Sequence, residues 1–223
     1  GGGGTDTRTS RTRVVIWSDG FESGDFSNWN NNPSDWTVRS NGQGDYGGQS
    51  VTVHSGSYCA NGHDGNGAND YLIKRFPDLS GYTNRQVSYW WDQQDLDNWG
   101  ERVTVYIYHD GSWQAVRNYQ ANDGDQRTDS WDWQQDTINL ETLGISDWTD
   151  VRIRFLCRGS MEWSDEFMLD DVVLSGNLAE PKPHLSNGGV SPGSGVRADT
   201  FSYTVTYTHD TGQWPTVMRV YID

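Results

Sequence analysis

The chain has 223 residues, enough for one ordinary domain and a small extra. It is acidic, with 31 Asp and Glu against 16 Lys and Arg and a formal charge of −15. That balance excludes a nucleic-acid binder, whose phosphates need a basic footprint, and an anionic membrane surface. The longest apolar run, Val14 to Trp17, is too short to insert in a bilayer. With 12 Trp, 11 Tyr and 6 Phe the chain has large areas to bury, so it is not read as disordered. Asp outnumbers Glu 25 to 6 and Arg outnumbers Lys 14 to 2, so turn formers are plentiful and helix formers scarce. An all-β protein of the extracellular space or cell surface is expected. Its first residue is Gly, which fits signal-peptide removal and equally a fragment of a longer chain.

Residues 1–13 are Gly, Thr, Ser, Asp and Arg and read as an N-terminal arm. From Val14 short alternating segments recur between Gly, Asp, Asn and Ser clusters. Strands are predicted at Val14–Trp17, Trp36–Arg39, Gln49–Val53, Asp70–Phe76, Gln86–Trp91, Arg102–Tyr108, Trp113–Tyr119, Asp136–Leu140, Asp150–Arg158 and Glu166–Leu174. Two are clear in parity. Val103, Val105 and Ile107 share one face, opposite Arg102, Thr104 and Tyr106. Val151, Ile153, Phe155 and Cys157 share another, opposite Arg152, Arg154 and Arg158. About ten short strands predict a jelly-roll β-sandwich over 14–176. Residues 177–183, with two prolines, read as a linker. The last segment, 184–223, reads as a Ser/Gly/Pro-rich loop and then strands Thr200–Thr208 and Thr216–Ile222. Phe201, Tyr203, Val205 and Tyr207 alternate in the first, and Val217 and Val220 lie in the second. Two or three strands do not make a stable sheet alone. This segment is therefore either cut short or completed by another molecule.

Cys59 and Cys157 are the two cysteines, and an extracellular setting pairs them in one disulfide, the alternative being two separate buried thiols. Asp64–Asp70 offers hard oxygen ligands, Asp64 and Asn66 among them, on a Gly-rich loop suited to calcium. No catalytic constellation is legible. Gly189-Val-Ser-Pro-Gly193 has the spacing of a nucleophile elbow but lacks the strand-to-helix turn that such a serine needs. Glu162, Asp165, Glu166 and Asp170 read as a solvated acidic edge rather than as a glycosidase pair. Trp99, Trp131, Trp133 and Trp148 lie in polar stretches, where an exposed indole stacks on sugar, serves a protein interface or packs under its own loop.

Trp17-Ser-Asp-Gly-Phe-Glu-Ser-Gly-Asp-Phe-Ser-Asn-Trp29, Asp35-Trp-Thr-Val, Phe76-Pro-Asp-Leu-Ser-Gly-Tyr, Asp110-Gly-Ser-Trp and Phe167-Met-Leu-Asp-Asp-Val-Val-Leu174 together resemble the MAM-like or carbohydrate-module-like jelly rolls of secreted prokaryotic proteins. The resemblance implies a structural calcium shared by Glu22 and Asp170 or Asp171. Residues 184–223 resemble the first half of an immunoglobulin-like repeat of prokaryotic surface proteins. The expectation is therefore an all-β chain: a jelly-roll β-sandwich with a short, incomplete immunoglobulin-like extension. Its expected function is that of a noncatalytic structural subunit that self-assembles into a homopolymeric filament or array by β-strand pairing. The alternative is a polysaccharide-binding or ancillary module of a larger secreted glycosidase or protease.

Overall fold

The computed structural model describes residues 12–44, 50–63, 70–94, 96, 100–120, 132–159, 161, 165–179, 184–196 and 199–208. The chain divides into two units, Gly1–Leu178 and Ala179–Asp223. The first is a jelly-roll sandwich of two antiparallel sheets. One sheet runs β2 (Trp36–Ser40), β3 (Tyr58–Gly62), β10 (Glu166–Leu178), β5 (Tyr82–Gln94) and β8 (Gln134–Asn139), with β1 (Arg13–Asp19) also on β10. The other runs β4 (Tyr71–Arg75), β9 (Arg152–Arg158), β6 (Arg102–His109) and β7 (Ser112–Gln120). The strands form where β-branched and aromatic residues alternate with polar ones, so each sheet has one apolar face to bury.

Aromatic contacts close the two sheets on each other. Tyr89 of β5 meets Phe155 of β9 edge-on at 5.0 Å, and Tyr119 of β7 meets Trp91 of β5 at 4.1 Å and Phe167 of β10 at 5.3 Å. The Tyr89 and Tyr119 hydroxyls are 2.9 Å apart, so the polar ends of these buried rings satisfy each other. Burial raises both phenols above the ordinary tyrosine range. The motif after β1 closes one end of the core. Asp19 accepts from the Phe21 backbone N–H at 3.0 Å and from Trp29 Nε1 at 2.7 Å. This holds Phe21 at φ 60, stacked on Trp29 and fully buried.

Strand β10 is the hub of the larger sheet. Along one edge its first part pairs with β3 and its later part with β1, while β5 follows the other edge. The switch of partner coincides with a register shift between Asp170 and Val173, where Asp171 has φ 46. A bulge of this kind ends one pairing and begins another.

Several expectations are corrected. The predicted strand over 49–53 is absent at 51–53, and β3 forms instead at Tyr58–Gly62, a segment with no alternation to announce it. Asn177 and Leu178 belong to β10 rather than to a linker, because Asn177 pairs with both Arg13 and Thr83. Asp165, Glu166 and Asp170 are not a solvated edge, since all three are buried. The disulfide is not formed. Cys59 lies with Val51 and Met168 in an outer cluster of the larger sheet, whereas Cys157 faces the core between the sheets. Cross-linking needs Cα atoms within about 7 Å and converging Cβ vectors, which side chains in separate clusters do not provide.

In the second unit β11 (His184–Ser191) pairs antiparallel with β12 (Ser202–Thr208). Strand β11 occupies part of the predicted loop, and β12 matches the predicted strand closely. Val217 and Val220 lie outside the described residues, as does most of the N-terminal arm. Alkylation in denaturant without reductant should add two groups to the chain by mass, one on each cysteine, and reductant should leave its melting temperature unchanged. A mass two hydrogens below the dithiol form would overturn this arrangement of the thiols.

Candidate functional site

The solvent face of the four-stranded sheet is set residue by residue through its register. Val103, Val105, Ile107, Ile153, Phe155 and Cys157 are all fully buried. Period-two alternation then turns Arg102, Tyr106, Tyr108, Arg152, Arg154 and Arg158 outward. Cross-strand partners assemble rows: Arg75, Arg152, Tyr108 and Trp113 in one, and Ile73, Arg154, Tyr106 and Ala115 in the next. Tyr71, Leu156, Thr104 and Asn118 follow, and then Arg158, Arg102 and Gln120. Guanidinium groups lie over the rings. Arg154 is 4.3 Å from the Trp113 ring, 4.5 Å from Tyr106 and 5.6 Å from Tyr71, and Arg152 is 4.6 Å from Tyr108. Such pairs hold both partners in place and are worth about 0.5–1 kcal/mol each when exposed.

A shallow groove of about 450 Å³ lies on this face, lined by Arg102, Thr104, Tyr106, Ala115, Val116, Arg117, Asn118 and Arg158. Thr104 Oγ1 donates to Asn118 Oδ1 at 2.8 Å, which leaves the Asn118 amide hydrogens for other acceptors. A register shift after Val105 re-aims Arg117 toward the other sheet, where it meets Asp136 at 3.3 Å and the Thr137 carbonyl at 3.0 Å. Asp150 takes Arg152 through two bonds, at 2.9 and 2.7 Å, and Arg75 at 2.9 Å. Burial draws Arg154 below the ordinary arginine value; Tyr106 and Tyr71 oppose this, and the like charge of Arg158 adds to it. The arrangement offers ring faces, forked cations and amide donors on one surface. Those groups are suited to polar, flat-faced ligands.

A second cluster sits at the β10 bulge. His54 Nδ1 lies 2.7 Å from Asp171 Oδ2, and His54, Asp170 and Asp171 bring ligand atoms within 4.8 Å of one another. Asp170 is fully buried and accepts backbone N–H groups from His54 at 3.1 Å, Ser55 at 3.2 Å and Asp171 at 2.7 Å. Burial pushes its carboxyl up to about 7, and Asp171 adds to this, while the three N–H donors oppose it. Glu22 lies outside the group. Its Oε1 accepts the Ser57 and Tyr58 N–H groups at 2.9 and 3.0 Å. Gly56 makes room for it: at φ +63, a Cβ there would stand 2.3 Å from Glu22 Oε1.

Of the four tryptophans in polar stretches, Trp133 and Trp148 are half-buried and pack on their surroundings. Trp133 donates to the Thr52 carbonyl at 2.9 Å and lies edge-on to His54, which itself stacks on Trp90 at 3.8 Å. Trp148 packs on the core beneath Arg85, whose guanidinium is 3.7 Å from its ring. Trp99, Trp131, Asp64 and Asn66 lie outside the described residues. On the four-stranded sheet the outward rings are Tyr71, Tyr106, Tyr108 and Trp113. Their outward parity was partly visible in sequence, but not their meeting on one face.

No protein-family profile matches the sequence, and no curated protein does. Among solved structures the chain is similar to TmCBM61 in complex with β-1,4-galactotriose, at 18% identity and TM-score 0.47 over 70% of this chain and 92% of that one. It is similar to the K1 cleaved adhesin domain of Lys-gingipain from Porphyromonas gingivalis W83, at 20% identity and TM-score 0.48 over 74% and 99%. It is also similar to a xylan-binding domain from Paenibacillus barcinonensis, at 13% identity and TM-score 0.45 over 77% and 99%. At these identities and scores no residue role passes from any of them to this chain. Among the described residues no helix is long and apolar enough to cross a membrane.

The raised Asp170 carboxyl gives a signed pH dependence. Between the unfolded value near 4 and the folded value near 7, the folded chain holds the extra proton. Stability from this group is therefore complete below about pH 4 and is lost as pH rises through 7, by at most about 4 kcal/mol. In chelator, the melting temperature should fall as pH rises from about 5 to about 7.5, and Asp170→Asn should flatten that slope. An unchanged slope in the variant would remove Asp170 as its source.

Proposed function

We propose that the chain is a noncatalytic carbohydrate-binding module of a larger extracellular protein, with its ligand on the outer face of the β4-β9-β6-β7 sheet. One observation carries this reading. Tyr71, Tyr106, Tyr108 and Trp113 share one solvent face with a groove whose walls carry hydrogen-bonding side chains. A sugar presents an apolar face and a polar rim, and ring faces beside amide and guanidinium donors complement both. Among the described residues, several of the carboxylates near the strands serve the backbone or a neighbouring side chain. Glu166 accepts from Asn61 at 2.8 Å, and Asp19, Asp170 and Glu22 accept backbone N–H groups.

Calcium enters the reading as a structural ion at the β10 bulge. The donor set fits a hard cation in part. Asp170 and Asp171 supply carboxylate oxygens, and a Cβ on Gly20 would stand 3.0 Å from Asp171 Oδ1, so glycine keeps that side open. His54 suits calcium less and serves better as the hydrogen-bond partner of Asp171. Glu22 braces the same loop through Ser57 and Tyr58. The ion would favour ionised Asp170 and so oppose the pH dependence derived above.

Assembly through β-strand pairing is a second reading, favoured by one observation. Val190, Tyr203 and Val205 on the β11–β12 sheet are 46%, 50% and 45% exposed. Apolar side chains on a two-stranded sheet are a surface that a partner can cover. Light scattering that gives a monomer mass at all concentrations would end this reading.

Affinity electrophoresis in gels containing soluble polysaccharides tests the carbohydrate reading. At least one polysaccharide should retard the chain, and Tyr106→Ala and Trp113→Ala should each weaken that binding about tenfold, on the order of 1.4 kcal/mol. Full retention by both variants would move the site off this face. Excess calcium at about pH 7.5 should raise the melting temperature, and Asp171→Ala should abolish the rise. No shift with calcium would remove the ion.

A further inference from the structure

Six of the 14 arginines stand on this one sheet of a chain with net charge −15, and five of them, Arg75, Arg102, Arg152, Arg154 and Arg158, are on its outer face. They do not share counter-charge evenly. At one end Asp150 takes both Arg75 and Arg152. At the other end Arg102 and Arg158 are direct cross-strand partners, and among the described residues Arg102, Arg154 and Arg158 have no ion pair. Neighbouring strands are about 4.8 Å apart, and like charges directly opposite each other destabilise a sheet. In addition, Nε of Arg154 and Nε of Arg158 are buried without a hydrogen-bond acceptor. An unmet buried donor carries its own desolvation cost.

The like-charge cost is relieved by an anion with paired oxygens on the outer guanidinium nitrogens. A guanidinium binds such a group through two parallel N–H bonds. The groove beside Arg102 and Arg158 supplies the rest of a sugar site: the Tyr106 ring, the apolar Ala115 and Val116, and the Asn118 amide. The nearby Asp136 is already neutralised by Arg117. A nucleic acid suits this patch poorly. Its duplex carries a charge about every 1.7 Å, against three cations here with no ion pair among the described residues, in a strongly acidic chain. Resting on the carbohydrate reading above, we infer that the groove takes an anionic polysaccharide. A uronate carboxylate or a sulfate ester sits on Arg102, Arg154 and Arg158, and its sugar ring lies on Tyr106.

The test is titration calorimetry of the full chain with matched polymers: polygalacturonate against its carboxyl-reduced form, and a sulfated galactan against its desulfated form. One charged polymer should bind at least tenfold tighter than its neutral counterpart and weaken at least tenfold from low to high salt. Which pair shows the difference tells carboxylate from sulfate. Arg154→Gln and Arg158→Gln should each lose at least tenfold. The melting temperature of Arg158→Gln should hold or rise, because the repulsion from Arg102 is gone. Arg158→Lys, which keeps the charge and loses the fork, should fall between. Arg75→Gln, at the end paired with Asp150, should bind like the parent.

Equal binding of charged and neutral polymers overturns the anionic inference and leaves the carbohydrate reading standing. Unchanged binding by Arg158→Gln, or its destabilisation, does the same. Binding to no polymer of either kind overturns both. Tighter binding to a phosphopeptide or an oligonucleotide than to any polysaccharide also overturns both.

Discussion

What the four-stranded sheet shows to solvent is fixed by what its other face buries. Phe155 must reach Tyr89 across the sandwich, and Ile153, Cys157, Val103, Val105 and Ile107 fill the same layer. In an extended strand, burying those positions forces their neighbours out. Strand β9 thus presents Arg152, Arg154 and Arg158, and β6 presents Arg102, Tyr106 and Tyr108, in a register that one slipped residue would reverse. The core therefore positions the face, and no loop has to order before a ligand meets those side chains. A site on paired strands holds its geometry better than one on loops.

The larger sheet solves a different problem. Strand β10 must serve β3, β5 and β1 in turn, and the change of partner leaves backbone groups unpaired at the Asp170–Asp171 bulge. Side chains meet the backbone there. Asp170 takes N–H groups of His54, Ser55 and Asp171, and Glu22 takes those of Ser57 and Tyr58. One short loop is thereby tied both to the hub strand and to the turn after β1. A buried carboxylate that holds three N–H donors yet has its carboxyl pushed up to about 7 is under competing demands. A bound cation would settle them in favour of the ionised form.

The sequence made local parity legible and left pairing hidden. The inward sets of β6 and β9 read correctly because hydrophobic alternation is a local signal. That β9 lies between β4 and β6, so that Arg158 faces Arg102 and Arg154 faces Tyr106, depends on residues some fifty to eighty positions apart in the chain, and no local pattern encodes it. The same gap left the tryptophans undecided. Polar neighbours allowed stacking on sugar, an interface or packing under a loop for Trp133 and Trp148, and the Thr52 carbonyl and the Arg85 guanidinium, both distant in the chain, favour packing. Strands β3 and β11 were missed because Cys59-Ala-Asn-Gly62 and the Gly188-Gly189 pair read as turns; tertiary pairing overrode that propensity. The cysteine pair failed for a related reason. The extracellular argument concerns chemistry in a compartment, and it is blind to which sheet face each thiol occupies.

The acidity of the chain and the arginine face fit one design. A formal charge of −15 repels polyanions at a distance, but at physiological salt that field decays over about 8 Å. Inside that range the local cations dominate, and among the described residues Asp150 and Asp136 already pair with Arg75, Arg152 and Arg117. What remains on this face, among the described residues, is a small positive area at Arg102, Arg154 and Arg158. An evenly charged protein would hold anionic polymers in many orientations. On the proposed reading, an anion seated in the groove meets these cations, and the acidity of the rest of the chain disfavours other orientations and very dense charge.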